Sequence, residues 1–285
     1  MDILEVSDIG KKYKGFTLEN INFKIPAGYI MGYVGRNGAG KTTTLGMITH
    51  QIKADSGSIK IDGMEYKDNP EKYKEMIGYI QDICYFPGDF NLLNIKNILK
   101  DFYQTFDEKK FMDYVRKWQL PEKKKIKDFS KGMQVRLMFA GILARDTKLL
   151  ILDEATNGLD PVVKQEILEI LQEYIQDGER SVIFSTHILN DLEQIADYIF
   201  FLHDGKKVMY DTKDEILEKY ILVKGGLEDL NEYMEKNLIG LKKTSVGFEG
   251  ILESDKSIHL SKNCVVEKPG IDQIIVSYIK DKERE

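Results

Sequence analysis

The sequence predicts an α/β fold built around a phosphate-binding loop. Residues 35–42, Gly-Arg-Asn-Gly-Ala-Gly-Lys-Thr, match the phosphate-loop pattern G-x-x-x-x-G-K-[ST] at every fixed position. An apolar run at 29–34 precedes this loop, and apolar residues recur at helical spacing over 45–52 behind it. A second apolar run at 149–154 ends in two carboxylates, as expected for a strand buried on both faces of a parallel sheet. Together these segments predict a phosphate-loop core.

The loop itself predicts a nucleotide site. Glycines let the backbone wrap closely around a polyphosphate, so that N–H groups and the positive helix end converge on it. We expect Lys41 to reach the β- and γ-phosphates and the Thr42 hydroxyl to bind Mg²⁺. The residues predicted to bind nucleotide here are Gly35, Asn37, Gly38, Ala39, Gly40, Lys41, Thr42 and Thr43. The alternative, a glycine-rich turn without a ligand, does not account for the length and flanks of the motif.

Asp153 and Glu154 follow the second apolar run, where the carboxyl edge of a parallel sheet binds ligands. We expect Asp153 to hold the Mg²⁺ shell and Glu154 to act as general base towards the attacking water. The alternative is an acidic strand end that caps the next helix. A complete phosphate loop in the same chain favours the catalytic interpretation.

Composition limits the class of protein. The chain has 285 residues, is 42% hydrophobic and carries a net charge of −6, which indicates one large core and argues against nucleic acid as a partner. Cys84 and Cys264 have no ligand-type spacing, so neither a disulfide framework nor a zinc site is expected, and a reducing cytoplasm fits. No signal peptide and no apolar run long enough to span a bilayer is predicted.

Between the two nucleotide segments, residues 129–133 (Phe-Ser-Lys-Gly-Met) open a predicted helix. Ser130 is a favoured N-cap residue. The same capped helix end presents free N–H groups suited to a γ-phosphate from a second subunit. The structural and functional interpretations are compatible, and both stay open.

With these motifs in this order, the chain resembles the ATP-binding subunit of ABC transporters over roughly residues 1–217. The resemblance implies ATP and Mg²⁺ as cofactors, ATP hydrolysis, and a site completed by a second subunit. It further implies that Gln81 senses Mg²⁺ and faces the membrane partner, and that His187 contacts the γ-phosphate. The other residues matched to the family are Tyr13, which stacks on adenine, Ser130 and Gly132 of the signature, and Asp160 of the loop that crosses to the partner subunit.

Two signature positions depart from the family pattern. Lys131 stands where the family usually has Gly, and Met133 stands where it often has Gln. The charge of Lys131 is interpreted either as support for a phosphate contact or as a solvated side chain. Lys41, Glu154 and His187 are all present, which favours hydrolysis over a binding-only site.

The resemblance extends to the exporter-type branch of bacterial peptide and antibiotic efflux systems. It implies a separate transmembrane permease, a second ATP-binding subunit (homo- or heterodimer) and a position on the cytoplasmic face of the cell membrane. An importer energiser is the alternative within the class. A soluble family member acting on ribosomes or DNA, and an ATP-dependent signalling or immunity module, are alternatives from other classes.

The element pattern predicts an ATP-binding domain at 1–217, with a helical subdomain at about 82–145, and a small C-terminal α+β domain at 218–285. The core strands are expected at 29–34, 77–81, 148–153 and 181–185. An antiparallel layer is expected at 4–9 and 16–25, a hairpin at 198–202 and 207–210, and helices at 94–106 and 107–119. C-terminal strands are expected at 221–223, 244–248, 258–260 and 264–267. The last helix carries Ile271, Ile274, Ile275, Tyr278 and Ile279 on one face, for packing on its own domain or for a dimer contact.

Overall fold

A six-stranded sheet lies at the centre of the computed structural model, which describes residues 1–282. Its strands are β3 (Ile30–Val34), β6 (Ile77–Gln81), β7 (Leu149–Asp153), β8 (Ser181–Ser185), β9 (Tyr198–His203) and β10 (Lys206–Thr212). They lie in the order β10-β9-β3-β8-β7-β6, and all neighbours run parallel except β9 and β10. The predicted parallel core is confirmed. β9 forms the predicted hairpin with β10 and also extends the parallel sheet through β3.

Strand β3 shows why the central strands are apolar throughout. Ile30 and Val34 belong to the hydrophobic cluster on one face of the sheet, and Met31 and Tyr33 belong to the cluster on the other. All five residues of β3, β7 and β8 are buried. Because both faces of these strands are buried, their sequences are continuous apolar runs and lack the alternating polar residues of a half-exposed strand.

The predicted antiparallel layer covers one face of this sheet. It consists of β1 (Asp2–Tyr13), β2 (Phe16–Pro26), β4 (Ser56–Ile61) and β5 (Met64–Glu65) in the order β2-β1-β4-β5. Aromatic packing joins the two sheets: the ring centroid of Phe23 on β2 lies 4.9 Å from that of Phe200 on β9 and 5.9 Å from that of Tyr33 on β3. These contacts hold the strand leading to the phosphate loop against the N-terminal layer.

Helices pack around the central sheet. They are α1 (Lys41–Ile48), α2 (Pro70–Glu75), α3 (Leu92–Phe102), α4 (Glu108–Lys117), α5 (Lys131–Leu143), α6 (Pro161–Ile175) and α7 (Leu189–Ile195). Side-chain caps set several of their starts: Asp107 begins α4, Ser130 begins α5, and Asp160 with Pro161 begins α6. Helices α3, α4 and α5 fall within the expected helical subdomain.

The C-terminal part adds α8 (Lys213–Lys219), β11 (Tyr220–Gly225), α9 (Glu232–Asn237), β12 (Ile239–Thr244), β13 (Gly247–Glu253), β14 (Val265–Glu267) and α10 (Ile271–Lys282). Its four antiparallel strands lie in the order β12-β13-β11-β14. The strands predicted at 221–223 and 264–267 correspond to β11 and β14.

Two predicted C-terminal strands are wrong. The segment expected as one strand at 244–248 holds the turn of the β12–β13 hairpin at 245–246: Thr244 ends β12, and Gly247 begins β13. A hydrogen bond of 3.1 Å from Thr244 Oγ1 to the Gly247 carbonyl closes this turn. Residues 258–260 cover the end of a 3-10 helix over Ser254–His259 and the residue after it, and Ile258 is 86% exposed. Short apolar runs without alternation do not distinguish a strand from a turn, because the register of the neighbouring strand decides.

The last helix packs inside the protein. Ile271, Ile274 and Ile275 are at most 1% exposed and share one hydrophobic cluster with Leu192 and Ile195 of α7. The helix therefore contacts its own sheet and also α7 of the preceding part. The domain boundary at 217/218 stays a prediction, since α8 runs across it. Among residues 1–282, no helix is both long and apolar enough to span a membrane.

This packing predicts unequal effects of two neighbouring substitutions. Ile274→Ala removes a fully buried side chain and should lower the free energy of unfolding by about 2–5 kcal/mol. Val276→Ala, at a position 38% exposed on the same helix, should cost well under half of that. Urea unfolding of both variants measures the difference. Equal stabilities would show that the face of Ile274 is not part of the core.

Candidate nucleotide-binding and catalytic site

A cavity of about 380 Å³ lies beside the phosphate loop. The side chains and backbone that line it come from the loop, β2 and the end of β7: Phe16, Arg36, Asn37, Gly38, Gly40, Lys41, Thr42, Thr43 and Glu154. Six of the eight residues predicted to bind nucleotide in the phosphate loop are in this lining. The other two, Gly35 and Ala39, are buried in the wall of the loop.

Two glycines of the loop have no space for a side chain. A Cβ at Gly35 would lie 2.6 Å from the Leu202 carbonyl oxygen. Gly40, directly before α1, has φ 111°, and a Cβ there would lie 2.7 Å from Leu18 Cδ1. Both the left-handed backbone and the close approach to β9 and β2 therefore require glycine, and they aim the start of α1 into the cavity.

Lys41 is 5% exposed, and its ammonium group is partnered inside the protein. Nζ donates to the Gly35 carbonyl at 2.7 Å and lies 3.2 Å from Glu154 Oε1. A buried ammonium without partners costs several kcal/mol, so these contacts hold the charge at the cavity wall. The phosphate loop and the end of β7 are thus joined by one ion pair.

Glu154 is the centre of a small polar cluster. Its Oε2 accepts a hydrogen bond of 2.6 Å from Asn157 Nδ2 and lies 2.6 Å from Nδ1 of His187. Its backbone is left-handed at φ 57°, with the N–H donating to the Ser185 carbonyl at 3.0 Å. This conformation is uncommon for a non-glycine residue, and it turns the carboxylate from the strand end into the cavity.

The charge of Glu154 follows from these contacts. Partial burial acts to raise the pKa of Glu154, but hydrogen bonds from Asn157 and His187 and the charge of Lys41 outweigh it and leave the pKa below its ordinary value. The carboxylate is therefore ionised near neutral pH and is able to accept a proton or a hydrogen bond from water.

Asp153 ends β7 and is 7% exposed. Its Oδ2 accepts a hydrogen bond of 3.3 Å from the Tyr79 hydroxyl, whereas its Oδ1 is buried without a hydrogen-bond partner among residues 1–282. Burial raises the pKa of Asp153, and the neighbouring hydroxyls of Thr42, Ser185 and Tyr79 act in the opposite direction. A buried carboxylate oxygen without a partner, close to the Thr42 hydroxyl, is a donor set that suits a hard cation such as Mg²⁺.

Gln81 is placed next to this pair by sheet register. It ends β6 and is the direct pairing partner of Asp153 on β7. Two of the three residues that the sequence assigns to the cation therefore lie at adjacent strand ends, and their role in binding it stays a prediction.

Ser130, Gly132 and Asp160 lie together outside the cavity lining. Ser130 Oγ accepts from the Met133 N–H at 3.3 Å, and Asp160 Oδ1 accepts from the Val163 N–H at 3.1 Å. A Cβ at Gly132 would lie 3.3 Å from Val163 Cγ2, so the starts of α5 and α6 are in close contact. Ser130 and Asp160 are both exposed. The structure thus presents two helix N-termini on a second surface.

Tyr13 does not line the cavity. It is 45% exposed, Lys11 Nζ lies 5.9 Å from its ring centroid, and its pairing partner Phe16 at the start of β2 takes the cavity position. Its role in adenine stacking stays a prediction. Phe16 was not among the predicted residues, although an aromatic directly after the Lys14-Gly15 turn was a usable signal.

Asn157 was also omitted. Its amide Nδ2 donates to Glu154 Oε2 at 2.6 Å. Asn157 lies three residues after Glu154 and directly before Gly158, whose φ is 64°. The sequence signal was an amide side chain in the turn after a carboxylate that is predicted to be catalytic, where short polar residues bond back to the preceding chain.

The family described as ABC transporter matches residues 18–157. The ABC transporter ATP-binding protein YtrB of Bacillus subtilis is 31% identical over 247 residues, which are 86% of this chain and 84% of YtrB. The bacitracin transport ATP-binding protein BcrA of Bacillus licheniformis is 33% identical over 77% of this chain and 74% of BcrA.

A solved structure, described as the ATP binding subunit of an ABC transporter, superposes with a TM-score of 0.69 at 29% identity. It covers 75% of this chain and 91% of that one. The predicted resemblance is confirmed: the chain belongs to the ABC transporter family as an ATP-binding protein, and it is an ATPase.

Proposed function

We propose that this chain powers a membrane exporter and works as a dimer that binds two ATP molecules at composite sites. Each ATP would contact Lys41, Thr42 and Glu154 of one subunit and Ser130 and Asp160 of the other. One observation supports this proposal: Ser130 and Asp160, at the exposed starts of α5 and α6, are not among the residues that line the cavity with Lys41 and Glu154. A second copy placed face to face supplies to each cavity what its own chain presents elsewhere.

The ion pair between Lys41 and Glu154 explains how ATP binding prepares hydrolysis. Phosphate oxygens compete for the Lys41 ammonium, and Glu154 is then released from this partner while Asn157 and His187 still hold its other oxygen. The freed carboxylate oxygen accepts a proton from the attacking water. His187 is 52% exposed at its side chain, which leaves its ring accessible to the γ-phosphate.

The cation would be held by Thr42, Asp153 and Gln81. When bound, Mg²⁺ neutralises charge on the β- and γ-phosphate oxygens. Thr42 begins α1 at the phosphate loop, and the other two residues lie opposite each other on β6 and β7. The unpartnered Oδ1 of Asp153 supports this assignment.

The proposed direction of transport is export, and it rests on the relatives. BcrA carries the description of bacitracin transport. We propose that this chain likewise drives a separate transmembrane permease from the cytoplasmic face of the membrane and removes a peptide antibiotic. An importer energiser would use the same nucleotide chemistry, so a cellular measurement is needed to separate the two.

We predict that cells whose only copy is the Glu154→Gln chain become as sensitive to the exported peptide antibiotic as cells without the chain. The reason is that a closed but non-hydrolysing ATPase does not complete transport cycles. Glu179→Gln is the matched control, since this carboxylate is 71% exposed and pairs only at the surface, with Lys148. Sensitivity is measured with bacitracin and related peptides. Unchanged sensitivity to all of them, together with reduced uptake of a nutrient, would indicate import.

Glu154→Gln also predicts a biochemical signature. The amide keeps the shape of the side chain but accepts no proton, so ATP hydrolysis should fall by about 10²-fold or more. Loss of one negative charge near the γ-phosphate should make the ATP-bound dimer longer-lived. Phosphate release and size-exclusion chromatography with ATP on one preparation test both effects. Turnover near the parental rate would remove Glu154 from the mechanism.

Composite sites predict complementation between two inactive variants. Lys41→Ala should weaken ATP binding by at least about 10-fold, or 1.4 kcal/mol, because it removes the buried ammonium from the loop. Ser130→Arg should block the second surface. A mixture should regain activity, since a mixed dimer has one site with both Lys41 and Ser130 intact. Phosphate release from the mixture and from each variant alone provides the measurement. A mixture no more active than its components would contradict composite sites in a homodimer.

A further inference from the structure

The signature helix α5 is tied to the end of β6 by an ion pair. Nζ of Lys131 pairs with Oδ1 of Asp82, the residue that directly follows Gln81. Lys131 is therefore neither a simply solvated side chain nor free for a phosphate in this structure. The same ammonium lies 3.7 Å from the position of a Cβ at Gly158, in the turn between Glu154 and Asp160.

Lys131 thus pairs with the loop that leaves β6 and lies near the loop that leaves β7. Gln81 and Asp153 are paired residues at the ends of β6 and β7, so these two loops start side by side. A glycine at position 131 has no side-chain atoms to form the ion pair with Asp82.

The other side of α5 is also anchored. Arg136 donates to Glu166 Oε2 of α6 through Nε at 3.1 Å and Nη2 at 2.5 Å. Gly132 packs closely on Val163 of the same helix. The start of α5 is consequently held between α6 on one side and the residue after Gln81 on the other, and the Lys131–Asp82 pair is its contact to the strand ends of the nucleotide site.

We propose that Lys131 is a positioning residue that relays the state of its own nucleotide site to the signature that completes the partner's site. The inference rests on the composite sites proposed above. A shift of Gln81 on cation binding moves Asp82, and the ion pair then moves the start of α5, where Ser130 faces the partner's ATP. The Lys131–Asp82 pair thus links the nucleotide site of its own chain to the partner's site that the same chain completes.

The exposure of Lys131 and Asp82 indicates how much their ion pair contributes to stability. Lys131 is 37% exposed and Asp82 45% exposed at their side chains, so water screens their attraction. Exposed pairs of this kind contribute little to folding stability. The pair should therefore leave the melting temperature nearly unchanged while altering how ATP at one site affects the other.

A direct contact between Lys131 and the partner's phosphate is the competing explanation, and it predicts a different pattern. In that case Asp82 only competes for the ammonium, so its removal should leave ATP binding unchanged or strengthen it. In a relay, both members are needed, and removal of either should have the same effect as removal of both.

The experiment is a double-mutant cycle in the full chain with Lys131→Gln, Asp82→Asn and their combination. ATP hydrolysis is measured against ATP concentration, and thermal unfolding checks the fold. Each single variant should raise the half-saturating ATP concentration about two- to fivefold and bring the Hill coefficient towards 1, with the double variant no worse than either. Lys131→Arg should retain the parental values, and the charge swap of Lys131→Asp with Asp82→Lys should restore them in part.

Lys127→Gln and Asp89→Asn serve as matched controls, because these residues form another exposed pair, of 2.9 Å, shortly before the signature. They should leave ATP dependence unchanged. An effect of Lys131→Gln without a like effect of Asp82→Asn would overturn the relay and indicate a phosphate contact. No effect of either variant would overturn it as well. Complementation of Lys41→Ala by Ser130→Arg is independent of position 131, so failure of the relay and failure of composite sites are distinguishable.

Discussion

The buried ammonium of Lys41 constrains the arrangement of the site, because a charge withdrawn from water must find partners inside the protein. It finds them in the Gly35 carbonyl of its own loop and in Glu154 beyond the end of β7. Both partners are in reach only because β3 and β7 end at the same edge of the sheet. The intervening strand β8 contributes as well, since the carbonyl of Ser185 fixes the backbone of Glu154. In the proposed mechanism, nucleotide binding exchanges Glu154, one partner of this ammonium, for a phosphate oxygen.

On the surface that carries Ser130 and Asp160, the polar side chains likewise have partners within their own chain. Ser130 and Asp160 accept hydrogen bonds from their own helices at 3.3 and 3.1 Å, so both are ordinary N-caps in the single chain. Capping does not use up a helix end, because several N–H groups of the first turn remain without intrahelical partners. Both ends are exposed and held together by the close contact of Gly132 with Val163. The proposed phosphate contact would use the same geometry as the cap.

The fold and the site were predictable where the signal is local. The phosphate loop, the charged strand end at 153–154 and the cap at Ser130 depend on residues a few positions apart, and the structure places them as expected. Features set by long-range pairing were not predictable. Whether Tyr13 or Phe16 faces the cavity depends on hairpin geometry, and the partner of Lys131 lies 49 residues away. The strand expected at 244–248 was wrong for the same reason, since an apolar run does not reveal its pairing register.

The C-terminal residues illustrate a limit of dividing the chain by sequence pattern. Helix α7 begins two residues after His187, whose ring lies 2.6 Å from Glu154. One side of α7 packs on β3, where a Cβ at Gly32 would lie 2.8 Å from Leu192. Another side packs on α10, and Lys213 of α8 donates to the Glu193 carbonyl at 3.1 Å. Because α7 is held between the central sheet and the last helix, the position of His187 depends on residues beyond the predicted boundary at 217. The C-terminal part therefore supports the segment that places His187 beside Glu154.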